Sequence, residues 1–232
     1  MFFFDPTYLI FMAPALLLVW IAKMRVDGAY KKWGNVPNSL RLRGADVAQR
    51  LLQYAGLAGV QLESVAGQLT DHYDPQRNVL RLSQGVGFGT SVAALAITAH
   101  EIGHAMQDRD GYAPLRFRSA IVPVVNIGSN LGWILILIGL ILQITQLAWL
   151  GVFVFAGGAL FALATLPVEF NASARAMTLL TDAGLLADPD ERRGVKSVLD
   201  AAAMTYVAGL AAALAQLLYY VFLIGGIGRR RR

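Results

Sequence analysis

The chain has 232 residues, 56% of them hydrophobic, with a mean hydropathy of +0.52 and a formal net charge of +5. That lipophilicity exceeds what an ordinary soluble domain of this length carries, and the basic residues cluster beside apolar segments, a pattern of membrane orientation and not of nucleic-acid binding. Cysteine is absent, which excludes disulfides and thiolate metal ligands, so any metal must be held by nitrogen and oxygen.

In chain order, residues 1–22 read as an N-terminal transmembrane anchor: an apolar run from Tyr8 to Ala22, extended upstream by Phe2, Phe3 and Phe4 and interrupted by Pro14. No basic segment precedes it and no small-residue cleavage site follows, so it reads as a retained anchor and not as a signal peptide. Residues 23–119 are polar. Ala45 to Ala55 has the apolar spacing of an amphipathic helix with Gly56 as its stop. Val60 to Val65 alternates with period two, as a half-buried strand does. Leu69 to Tyr73 reads as a second strand, Asp74 to Asn78 as a turn, and Val79 to Leu82 as a third strand. Gly85, Gly87 and Gly89 read as a flexible entry to the helix that follows; their spacing, with no lysine after them, does not match a phosphate-binding loop.

That helix carries His100-Glu101-Ile102-Gly103-His104, an H-E-x-x-H pentad that uses two of the three histidines in the chain. Positions i and i+4 share a helical face, so the two imidazoles can bind one zinc ion. Such an ion lowers the pKa of water towards neutrality, and Glu101, one position round, can accept the proton. Thr90 or Ser91 is the expected N-cap. Gly103 weakens the helix relative to alanine, so its presence between the histidines points to close approach of another element. The bland alternative is a helix whose histidines merely face solvent or core. His72 either stabilises a transition state or holds the turn bounded by Asp71 and Asp74, the second reading being favoured because local side-chain bonds are common at such turns.

Residues 120–168 hold two further apolar segments, Ala120 to Ile144 and Leu147 to Val168, joined only by Gln143 to Gln146 and therefore a transmembrane hairpin. The hairpin returns the chain to the face it left, so the polar region 169–203 can supply a ligand to a site in 23–119. No third histidine follows His104 at short range, which leaves a carboxylate as the remaining ligand type. Glu169 is the best candidate, because a carboxylate at the end of an apolar run is costly unless paired or metal-bound; otherwise it marks the membrane edge. Pro167 reads as a break or helix start just before it. Asn171 and Ser173 can orient ligands through hydrogen bonds or cap a helix. Asp182 is a weaker candidate, since Thr181 to Gly184 resembles a helix end. Residues 204–232 form a last transmembrane helix and a basic tail.

The stretches Ala99 to Gln107 and Leu166 to Ser173, with Leu69 to Pro75 and Val79 to Ser83, resemble the YugP-type membrane zinc metallopeptidases of bacteria. The resemblance covers most of the chain. It implies one catalytic zinc ion on His100, His104 and Glu169, with Glu101 as catalytic base. The expected fold is a mainly α membrane protein of about four transmembrane helices, with a small α+β zincin-like metallopeptidase domain inserted between the first and second. The expected function is that of a membrane-anchored zinc endopeptidase acting on protein or peptide substrates near the bilayer, with no nucleic-acid partner. An inactive scaffold or chaperone-like protein that keeps a zinc-binding fold is the alternative, and the intact Glu101 argues against it. An intramembrane protease is disfavoured because the apolar run before His100 is well short of a span. A transporter is disfavoured because both histidines lie outside the spans. Residues 23–118 and 169–203 together hold sixteen of the twenty basic residues, which places the catalytic face in the cytoplasm and the chain in the plasma or inner membrane. The tail Arg229 to Arg232 conflicts with that count, since four spans put it on the opposite face.

Overall fold

The structure is a computed structural model that describes residues 6–186 and 188–229. Two parts of the sequence reading, the Phe2 to Phe4 extension and the tail residues Arg230 to Arg232, lie outside the described residues.

Most of the chain is helical, with one small sheet. Among the described residues, four helices are long and apolar enough to cross a bilayer: α1 (Pro6–Trp33), α5 (Ala113–Ile141), α6 (Thr145–Asp182) and α7 (Pro189–Arg229). Between α1 and α5 lie α2 (Gly44–Tyr54), β1 (Gln61–Val65), β2 (His72–Asp74), β3 (Val79–Ser83), the single turn α3 (Gln84–Gly87) and α4 (Val92–Arg109). The chain divides into two compact units. One gathers the described residues up to Ile21, Phe117–Leu166 and those from Thr205 onward; the other gathers Ala22–Arg116 and Pro167–Met204.

In the first unit α5 and α6 pack through glycines. A side chain at Gly132 would meet the backbone of Gly151 and Phe155, and one at Gly139 would meet the backbone of Ala148. Small residues let apolar helices approach where burial in lipid gives no driving force. The connection between them closes with Ile144 N–H donating to Gly139 O and Gln143 N–H to Leu140 O, the paired bonds of a Schellman helix end, with Gln143 in the left-handed region at φ 57°.

In the second unit α4 is the hub. Its residues from Val92 to Ala96, with Ala99, Ile102 and Ala105, are buried, as befits a helix apolar nearly all round. Val47, Leu51 and Leu52 of α2, Leu80 and Leu82 of β3, Leu179 and Leu180 of α6, and Val195 and Leu199 of α7 belong to the same core. The sheet order is β1-β3-β2, parallel between β1 and β3 and antiparallel between β3 and β2. Glu191, buried at the start of α7, accepts from Ser39 N–H and Oγ–H and ties the loop after α1 to α7.

Several local expectations are corrected. The second strand starts at His72, because Leu69 sits at φ 55°, in the left-handed region that breaks a strand. β1 is largely exposed along its length, without a regular buried face, because it lies at a sheet edge. The glycines of 85–89 do not form a loose entry: Gly85 and Gly87 belong to α3, and a side chain at Gly89, just after it, would strike the Gly85 carbonyl. Pro167 neither breaks nor starts a helix. It lies inside α6, as Pro14 lies inside α1, since proline's fixed φ suits a helix and its cost is a lost N–H bond that neighbouring elements can offset.

Candidate metal centre

The pentad sits in the middle of α4, which Ser91 starts by accepting from Ala94 N–H at 3.1 Å. The helical spacing brings the His100 and His104 rings within 4.8 Å, centroid to centroid. Glu169 comes from α6, which crosses α4 at Gly103. An added Cβ at Gly103 would lie 2.5 Å from the Ala172 carbonyl oxygen, so this glycine is what lets the α6 backbone close on α4. His100, His104 and Glu169 offer ligand atoms that all lie within 4.8 Å of one another. The Nε2 atoms of His100 and His104 stand 3.3 and 3.6 Å from one Glu169 oxygen. Ligands about 2.0–2.1 Å from a tetrahedral zinc ion lie roughly 3.3–3.4 Å from each other, so the donor set has the type and spacing that zinc requires. Glu169 is only 2% exposed, and a carboxylate so buried needs a cationic partner.

The outer ring nitrogens are held as well. His104 Nδ1 lies 3.0 Å from Gln107 Oε1, and Gln107 Nε2 donates to the Val168 carbonyl at 2.8 Å and to Asn171 Oδ1 at 2.9 Å. A carbonyl only accepts, so the Gln107 amide nitrogen must face Val168, and its oxygen must accept from His104 Nδ1–H. That leaves Nε2 of His104 with its lone pair free, towards Glu169. Asn171 Oδ1 also accepts from Arg175 Nε at 2.8 Å, and Arg175 pairs with Asp110 at 2.5 Å. His100 Nδ1 lies 3.2 Å from Ser173 Oγ. Burial opposes charge on His104, but the Glu169 hydrogen bond and the Glu101 and Glu169 carboxylates outweigh it and hold the imidazole above its ordinary value.

Glu101 stands outside the ligand group. Its Oε2 accepts from Tyr73 N–H at 3.2 Å, a bond that comes from the edge strand β2. Burial, with the nearby Glu169 and Asp71 carboxylates, pushes its carboxyl upward against the pull of His100 and His104.

The remaining expected residues fall as follows. Ser173 touches His100 directly, and Asn171 touches Gln107, which in turn touches His104. His72 is exposed, with Nδ1 2.8 Å from the Thr70 carbonyl and Nε2 3.3 Å from Nη1 of Arg81, its cross-strand neighbour on β3. Asp71 accepts from Ser83 N–H and Oγ–H. Asp182 is exposed at the end of α6, apart from the ligand group. The residues that sequence reasoning left without a role are Gln107 and Arg175. The available signal was that Gln107 lies three positions after His104, on the same helical face.

A family model described as "Putative neutral zinc metallopeptidase" matches residues 8–225. The chain belongs to this zinc metallopeptidase family. Among relatives of the family, "Putative membrane protease YugP" of Bacillus subtilis (strain 168) is 42% identical over 209 residues, covering 90% of this chain and 92% of that protein. No solved structure matches.

Proposed function

We propose that the chain is an integral membrane zinc endopeptidase in which His100, His104 and Glu169 hold the metal and Glu101 is the catalytic base. The observation that carries this reading is the convergence of two imidazoles and a buried carboxylate within 4.8 Å, with a second carboxylate, Glu101, beside them outside that group. Zinc bound there supplies the Lewis acidity that activates water and polarises a peptide carbonyl.

Gln107 and Ser173 fix the two imidazole planes from behind. Tyr73 N–H holds the Glu101 carboxylate in place. Glu101 takes a proton from the attacking water and delivers it to the amine nitrogen as the carbon–nitrogen bond breaks. A carboxylate set beside the imidazoles and held by one backbone donor is placed for both transfers. A purely structural metal site has no use for such a group, which speaks against an inactive scaffold.

Residues 23–119 are read as a zincin-like catalytic domain, completed by 169–203 across the transmembrane hairpin 120–168 and anchored by 1–22 and 204–232. The excess of basic residues in the two polar regions supports a cytoplasmic active site. Substrates are then loops, tails or misfolded segments of proteins near the inner leaflet. Glu101→Gln tests the mechanism: it should keep zinc while peptidase activity on an unstructured protein falls by roughly 10²–10⁴-fold, the usual worth of a general base. Full activity in the metal-replete variant overturns the assignment.

A further inference from the structure

Gln107 is held from α6, and the bonds that hold it continue away from the metal centre. Val168, Asn171 and Arg175 stand at i, i+3 and i+7 along α6, on one face of that helix. The Val168 carbonyl and Asn171 Oδ1 each accept from Gln107 Nε2, at 2.8 and 2.9 Å. Asn171 Oδ1 accepts a second time, from Arg175 Nε at 2.8 Å. One chain of hydrogen bonds therefore joins Arg175, Asn171, Gln107 and His104 Nδ1.

The two amides in this chain are ambivalent. Each can present an oxygen or an NH2 group in the same place, so a bond between two amides leaves its own direction open. The direction has to be set from an end. A guanidinium carries donors only and stays charged at every accessible pH. Next to Arg175, Asn171 must therefore present its oxygen. Gln107, which is fully buried, then meets two acceptors and turns its NH2 to both. Its oxygen is left for His104 Nδ1–H. Without Arg175, Asn171 is free to turn its NH2 towards Gln107, and the Val168 carbonyl alone resists a swap of the Gln107 amide.

Arg175 is itself fixed. Its Nη1 pairs at 2.5 Å with Asp110, the residue that ends α4, and its guanidinium carbon stands 5.9 Å from the centre of the Tyr112 ring. Arg109 and Arg175 together hold the Asp110 carboxyl below its ordinary value. The permanent donor is thus pinned by a charge and by an aromatic face, with its Nε–H left to Asn171.

We propose that Arg175 is a positioning residue for the metal centre: it makes Asn171 an obligate acceptor and so sets, through Gln107, how His104 presents its Nε2 lone pair. The proposal rests on the reading of His100, His104 and Glu169 as a zinc site. Its sign is distinctive. Removing a cation near a bound dication relieves repulsion and by Coulomb's law alone tightens zinc, whereas loss of the orienting chain weakens it.

The test is zinc competition against a chromophoric chelator, with the full-length protein in detergent. Arg175→Met keeps an unbranched apolar stem and removes every donor. It should raise the zinc Kd by about three- to tenfold, less than the roughly 10–100-fold that loss of a direct outer partner costs. Arg175→Lys keeps the charge that pairs with Asp110 but has no N–H at the Nε position, and should show the same loss. Asn171→Leu, close in size, cuts the chain one step nearer the metal. In that background Arg175→Met should change Kd by less than about twofold, because residues acting through one network are not additive. An Arg175→Met protein that binds zinc as well as or better than wild type overturns the proposal. So does wild-type affinity in Arg175→Lys, which reduces Arg175 to an ion-pair tie between α4 and α6. A full further loss on top of Asn171→Leu overturns it as well. Wild type that binds no zinc removes the metal reading and this proposal together; wild type that binds zinc with all the variants equal to it removes this proposal alone.

Discussion

Gln107 offers the sharpest test of how the metal centre is held. Gln107→Met keeps the length and burial of the side chain and removes three hydrogen bonds, at 3.0, 2.8 and 2.9 Å. Two of the partners are covered afterwards. The Val168 carbonyl lies within α6, where a helix supplies its own donor, and Asn171 Oδ1 keeps Arg175. His104 Nδ1–H is the group left without an acceptor. An orphaned buried donor costs about 1–3 kcal/mol. Independently, removing the outer partner of a ligating histidine typically costs 10–100-fold in metal affinity, which is about 1.4–2.8 kcal/mol at tenfold per 1.4 kcal/mol. The two routes agree because they describe the same lost bond. Zinc competition against a chromophoric chelator, in detergent, should therefore show Kd raised by about 10–100-fold with helical content by circular dichroism unchanged. A Kd within about twofold of wild type, well short of the loss expected for such a partner, refutes the role assigned to Gln107.

Glu169→Ala should strip zinc from the purified protein by metal analysis, whereas Asp182→Ala should leave it loaded; the reverse result moves the third ligand to Asp182. Gly103→Ala should lower the melting temperature and the zinc content together, because forcing the α6 backbone away costs about 1–3 kcal/mol, more than the roughly 1 kcal/mol that alanine gains in helix propensity; a stabilised variant contradicts the crossing at Ala172. Single cysteines placed in this cysteine-free chain report the topology: one at Gln76 should resist an impermeant thiol reagent in intact cells and react after lysis, one at Gln146 should react in intact cells, and labelling of Gln76 from outside inverts the compartment assignment. A cysteine after Arg232 should label from outside if all four apolar helices cross.

The pair of facing histidines was legible because it is local. Two histidines at i and i+4 need only a helix to share a face, and the residues before them predict that helix. Glu169 was legible as a carboxylate set against an apolar run, and Gly103 as a helix weakness that called for a close neighbour. The rest depends on packing that no window of sequence contains. Gln107 takes its role only when α6 lies against α4 and presents Val168 and Asn171. Pro167 reads locally as an interruption, yet apolar residues on both sides carry α6 through it. Leu69 reads as strand by composition, and its positive φ comes from the turn that aims Asp71 at Ser83. The glycines of 85–89 look loose in sequence, but two of them lie in α3 and Gly89 packs directly on the Gly85 carbonyl.

The two parts of the proposed ligand set stand 69 residues apart in the chain. At a synthesis rate of roughly 5–20 residues per second, the histidines leave the ribosome about 3–14 seconds before the glutamate. Throughout that interval the nascent chain carries half a site and no third donor. Both strands of the hairpin must be made before Glu169 emerges, so the centre is assembled late, when the protein is already committed to its membrane. The proposed site therefore cannot close before the transmembrane hairpin has been made.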